Sequence, residues 1–127
     1  MSRRGLLLFA HGARDPRWAG PFEEVARRAR ERQPALAVRL AFLEFMSPTL
    51  REAGEMLVGS GCTHIDVVPL FLGAGGHVRK DLPALLGELS ASHPSVRWQL
   101  RRAIGEIDSV IEAMACAALQ LGDEPTP

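Results

Sequence analysis

Residues 64–83 read HIDVVPLFLGAGGHVRKDLP. The first eight are almost continuously apolar, without the in-out alternation of a half-solvated strand. Such a run predicts a strand buried on both faces, as in a parallel sheet covered by helices. A glycine-rich segment and His77 follow. Val78, Leu82, Leu85, Leu86 and Leu89 then recur at helical spacing. Strand, glycine loop, histidine and helix make one β-α unit.

The same unit repeats on either side. Residues 5–10 (GLLLFA) read as a first strand, and Asp15-Pro16 supplies an N-cap with proline at the first helical position. A helix over residues 16–32 would put Phe22, Val25, Ala26 and Ala29 on one face. Ala37–Phe42 reads as the second strand, and Ser47-Pro48 repeats the cap signal before the stripe Leu50, Ala53, Gly54 and Leu57. Residues 96–100 are shorter and more polar, as at a sheet edge. Ile107, Val110, Ile111, Met114, Ala118 and Leu121 mark a last helix, with Gly122 as its stop. Strict alternation with short loops predicts an α/β fold. We expect a single three-layer domain over residues 1–122 with a four-stranded parallel sheet in the order 2-1-3-4, half of a doubly wound sheet. Residues 123–127 (DEPTP) read as a flexible tail.

Composition narrows the function. The chain has 127 residues, 46% of them hydrophobic, with 15 basic and 15 acidic side chains. A zero balance argues against nucleic acid as the main partner, because phosphate binding needs a basic excess. The apolar run of residues 6–10 is too short for a signal peptide, and no stretch approaches the ~20 residues of a membrane span. Cys62 and Cys116 form no ligand pattern and read as free thiols of a reducing compartment, so cytoplasm is the expected location.

Ligands of open α/β sheets bind beyond the carboxyl ends of the strands, where the chain order reverses. Here that point lies between strands 1 and 3. The loop after strand 1 carries His11, Gly12, Arg14 and Asp15. The loop after strand 2 carries Glu44, Met46 and Ser47, and that after strand 3 carries Gly73, Ala74, Gly75, Gly76 and His77. Two imidazoles and a carboxylate can bind a divalent metal with positions left open, and can also take protons near neutral pH. Metal held this way should weaken as pH falls through the ordinary imidazole range, about 6.5. The glycines let a large ligand approach the backbone, and Arg14, Arg17, Arg79 and Lys80 could hold its carboxylates. Duller readings stand beside these. His11 could cap a turn, His77 could simply begin a helix, Glu44 could pair with a surface arginine, and the glycines could be a plain turn. His64 and His93 read as structural; Phe9, Phe42, Phe45 and Phe71 as core or rim packing; Trp18 and Trp98 as surface packing. GAGGHV lacks the third glycine of a dinucleotide fingerprint and the lysine of a P-loop. Ala10 stands where phosphohistidine phosphatases carry arginine, and no Ser or Cys sits at a nucleophile elbow.

HGARDPRW (residues 11–18), FLEFMSPTL (42–50) and VVPLFLGAGGHVRKDLP (67–83) resemble the short sirohydrochlorin chelatases (CbiX-like), over roughly residues 5–115. Ala13 and Ser47 depart from the family pattern, which often has Ser and an acidic residue there. The resemblance implies a flavodoxin-like chelatase fold and insertion of cobalt, iron or nickel into sirohydrochlorin or a related tetrapyrrole. The metal is then a substrate, with no cofactor permanently bound. It implies that His11 binds metal and accepts a proton, that His77 is the second metal ligand, and that Leu72 to His77 contact the macrocycle. It places Glu44 near the acidic position of the site. Long members of the superfamily carry two such domains across the macrocycle, so a homodimer with its cleft between subunits is expected. A tetrapyrrole or metal carrier without turnover, and a phosphate-handling enzyme using His11, are the rival readings.

Overall fold

The computed structural model describes residues 3–73 and 75–126, with residues 76–79 described for their backbone only. Four strands form one parallel sheet. β1 (Arg3–Ala10) lies between β2 (Ala37–Phe42) and β3 (Cys62–Pro69), and β4 (Arg97–Leu100) lies outside β3, giving the order β2-β1-β3-β4. This is the expected order. β3 ends two residues before its apolar run does. Leu70 still donates its N–H to the Phe9 carbonyl (2.7 Å), and Phe71 then leaves the ladder but stays buried in the core at the sheet's end.

The four helices are α1 (Gly20–Arg32), α2 (Leu50–Gly59), α3 (Gly76–Ser92) and α4 (Asp108–Asp123). The segment expected as one helix from residue 16 is split. Asp15 accepts the Arg17 N–H (3.0 Å) and caps a short 3₁₀ turn, Pro16–Ala19, before α1 begins at Gly20. Pro21 has no N–H with which to carry helical bonding back into that turn. The expected Ser47-Pro48 cap of α2 is also displaced. Thr49 is the N-cap, its hydroxyl accepting from Glu52 N–H (3.2 Å) while the Glu52 carboxylate accepts from Thr49 N–H (2.8 Å). This capping box satisfies two orphan amides, which Ser47 does not do. Gly122 does not stop α4, which runs on to Asp123.

One face of the sheet packs Leu7, Phe9, Ile65 and Val67 against Leu50, Ala53 and Leu57 of α2 and Leu82, Leu86 and Leu89 of α3. The other packs Leu8, Ala10, Leu40 and Phe42 against Ala19, Ala26 and the half-buried Phe22 and Ala29. Trp18 lies on Phe22 (4.6 Å between ring centres), and Trp98 is half-buried against the first core. The three layers are thus α1, the sheet, and α2 with α3. α4 belongs to none of them: its packing is confined mainly to the short 3₁₀ turn Ile104–Glu106, and none of its residues is buried.

Among the described residues Asp66 is the buried charge, on the α1 side of β3. It accepts from Arg101 Nε (2.9 Å) and Arg4 (3.2 Å). Burial opposes its ionisation, but the hydrogen bonds from Arg101 and Arg4 together outweigh it and hold the carboxyl below its usual range. A carboxylate depressed on folding stabilises above its unfolded pKa and loses that contribution as pH falls through the folded value. Asp66→Asn should therefore cost about 1–2 kcal/mol at pH 7, the two arginines being well exposed and screened. The deficit, read by urea denaturation, should shrink as pH falls below about 4.

Candidate functional site

The carboxyl ends of β1, β2 and β3 form one rim, and backbone bonds tie their loops together beyond the strands. Leu43 N–H donates to Ala10 (2.9 Å) and Glu44 N–H to His11 (3.0 Å), so the first two loops leave the sheet as a pair. The approach is so close that Gly12, at φ +89°, has no room for a side chain: a Cβ there would sit 1.9 Å from the Glu44 carbonyl oxygen.

His11 projects from this pair into solvent, and its ring lies on that of Phe71, with centres 4.1 Å apart and planes 28° from parallel. Phe71 is itself fixed. It is 2% exposed, packs on Phe9 (5.9 Å), and its carbonyl accepts from Gly105 N–H (2.9 Å). Gly105 lies directly against the Leu72 backbone, where a Cβ would meet the Leu72 oxygen at 2.1 Å. The first and third loops therefore meet, as the strand order led us to expect. The means of contact, a phenylalanine platform clamped by a glycine, carried no signal in the sequence beyond an apolar residue and an isolated Gly.

Phe9, Phe42 and Phe71 are core residues and Phe45 lies at the rim, the two places expected of these rings. Phe45 sits at φ +66° and is 58% exposed, with the Arg14 guanidinium over its ring at 4.8 Å. Arg14 is thus held at the rim by a cation–π contact. Glu44 is exposed and makes no ion pair with a described arginine. On the third loop Leu72 is 70% exposed, and Gly73 and Gly75 are exposed with open space where a Cβ would be. Gly75 is the N-cap of α3, and the backbone puts His77 in that helix's first turn. Ala74 and the His77 side chain lie outside the described residues. His64 and His93 are away from the rim. His64 Nε2 lies 3.5 Å from Asp66, and the His93 backbone closes the end of α3 beside Trp98. Among the described residues no three His, Cys, Asp or Glu side chains gather as a metal site.

The rim therefore offers an exposed imidazole on a rigid base, a nearby free carboxylate, a guanidinium, two exposed apolar side chains and a helix N-terminus. That set can present a lone pair to a metal or proton and apolar surface to a flat ligand.

A sirohydrochlorin cobaltochelatase of Methanosarcina acetivorans is 35% identical over 82 residues, which are 65% of this chain. The match spans about 63% of that relative's length. The crystal structure of a CbiX protein from Marinobacter aquaeolei VT8 superposes with a TM-score of 0.80 at 34% identity, covering 92% of this chain and 95% of that one. The sirohydrochlorin chelatase SirB from Bacillus subtilis subspecies spizizenii, in complex with cobalt, gives a TM-score of 0.78 at 28% identity. It covers 87% of this chain and 47% of the longer one. Residues 5–120 match the CbiX family model, and the chain belongs to the CbiX family.

Proposed function

We propose that the protein is a metal chelatase that inserts a divalent metal (cobalt, iron or nickel) into sirohydrochlorin or a related tetrapyrrole, in cobalamin or sirohaem biosynthesis. The observation that carries this reading is the solvent-facing His11 ring braced on Phe71 in a chain whose relatives include a sirohydrochlorin cobaltochelatase. Metal insertion exchanges two pyrrole N–H protons for one dication, so it is roughly charge-neutral. It needs a group that can hold the incoming metal and a group that can take the protons. A neutral imidazole does either with the same lone pair. In this reading His11 is metal ligand and proton acceptor, His77 is the second ligand, and Glu44 assists proton removal. Arg14 holds a peripheral carboxylate of the macrocycle, and the loop of Leu72, Gly73, Ala74, Gly75, Gly76 and His77 lies against its face.

One domain supplies one wall for a large disc. We therefore infer a homodimer with the cleft between subunits. Two free thiols, one buried and one exposed, fit a reducing cytoplasm. Among the described residues no helix is long and apolar enough to cross a membrane.

The test is to mix the protein with sirohydrochlorin and Co²⁺, Fe²⁺ or Ni²⁺ in turn and follow the absorption spectrum. The expected result is many equivalents of metallated product per protein with at least one metal. A spectral change that stops at one equivalent would identify a carrier and overturn the catalytic reading. Imidazole donors suit all three metals, so the relative rates also choose among them.

A further inference from the structure

The amino ends of the strands, opposite the rim, carry a second concave site. A groove of about 610 Å³ opens there, bounded by β1, β2, the turn after α1 and the end of α2. That size is ordinary for a small-molecule site. Arg3 of β1, Arg30 of α1 and Arg39 of β2 line it, together with Ser60, Pro34 and Leu36. The eight residues of β1 span about 25 Å. A small molecule held in this groove therefore stays clear of His11.

No acid answers these three charges. Among the described residues no carboxylate pairs with Arg3, Arg30 or Arg39. The neighbouring acids of α1 are already engaged: Glu24 accepts from Arg27 and Arg28, and Glu31 from Arg27. The chain as a whole is neutral, so the positive field here is local. Two of the guanidiniums are fixed by backbone oxygens instead. Arg30 donates Nε and Nη2 to the Val38 carbonyl (3.1 and 3.0 Å), and Arg3 donates Nη1 to the Ser60 carbonyl (3.4 Å). A neutral carbonyl positions a charge without cancelling it. Each guanidinium has five N–H donors, so both keep most of them for a ligand. Arg39 is exposed and makes no side-chain hydrogen bond to a described residue. Like charges gathered round one concavity repel, and an anion between them removes that cost.

Phosphate suits this groove better than carboxylate. A carboxylate brings one charge and two coplanar oxygens, which a single arginine fork satisfies. A phosphate group brings up to about two charges and three acceptor oxygens on different sides, enough to engage all three guanidiniums. We propose that the groove binds the phosphate group of a small molecule, whose organic part lies on Pro34 and Leu36. The site is separate from the rim, and its occupancy does not depend on the reaction proposed there.

Isothermal titration calorimetry on the full chain, in metal-free buffer of low ionic strength, tests this with pyrophosphate, ADP and citrate. Pyrophosphate and ADP should each bind at one site per chain, and citrate about tenfold more weakly or not at all. Arg39→Gln breaks no bond of the fold and should weaken both phosphates by about tenfold or more, the loss of one charge-assisted contact. Arg27→Gln removes the same charge from α1 outside the groove and should change either affinity by no more than about twofold. ADP binding more tightly than pyrophosphate supports a phosphate carried on an organic molecule. Pyrophosphate binding more tightly assigns the groove to the free ion and overturns the organic ligand. The phosphate site itself is overturned if neither probe binds at millimolar concentration, or if citrate binds as tightly as pyrophosphate. Equal losses in Arg39→Gln and Arg27→Gln would show a diffuse surface field and overturn it as well.

Discussion

His11→Ala should lower metallation by about 10³-fold or more, the loss of a group to which the proposed function gives both proton transfer and metal binding, while the protein stays folded. The folded state has little invested in this side chain. It is exposed, and its recorded contact is the ring-on-ring contact with Phe71, worth about 1 kcal/mol. Urea denaturation should shift by no more than that. The loss of turnover has a different origin: without the imidazole no described side chain at the end of β1 offers a lone pair that can accept a proton near neutral pH. His11→Phe separates the two roles. It preserves the stack on Phe71 but has no lone pair, so it should be as stable as the wild type and as inactive as the alanine variant. Normal turnover in either folded variant would sink the assignment of His11.

Gly12→Ala should cost about 2–5 kcal/mol of stability. Two terms add. An L-residue held at φ +89° is strained by about 1–2 kcal/mol. The new methyl would also lie 1.9 Å from the Glu44 carbonyl oxygen, an overlap with backbone that only a loop shift relieves, at about 1–3 kcal/mol. That shift breaks the Glu44–His11 backbone bond and carries His11 off Phe71, so activity should fall with stability. Gly61 is the internal control. Its φ is +90°, but nothing lies within 4 Å of where a Cβ would be. Gly61→Ala should therefore show the strain alone, about 1–2 kcal/mol. Equal urea midpoints for the two variants would refute the clash. Against a typical domain stability of about 5–15 kcal/mol, the difference is easily measured.

Much of this architecture was legible in the sequence because burial leaves a periodic mark. The continuous apolar run at β3 and the helical stripes of α2 and α3 specified a parallel sheet, and the sheet specified which loops meet. The His11 loop followed from that order alone. Other features leave no such mark. Phe45 reads as core or rim from the sequence, and its φ of +66° and its exposure decide for the rim. The T-x-x-E of Thr49 and Glu52 is visible in the sequence, but Ser47-Pro48 competes as a local signal, and only the reciprocal bonds of Thr49 and Glu52 decide between them. The stripe of α4 is legible as amphipathic, yet none of its residues is buried; periodicity marks an apolar face without stating what covers it.

The stacking of His11 on Phe71 also settles when disorder is removed. A solvent-facing histidine normally samples several rotamers, and fixing one at the moment of binding costs about 0.5–1.5 kcal/mol. Here the ring already rests on a buried neighbour whose backbone is held by Gly105. That search is completed once, during folding, and need not be repeated at each turnover. In the proposed function, capture of a metal ion at His11 is then limited by the ion's own arrival and the shedding of its water, both properties of the ion more than of the protein.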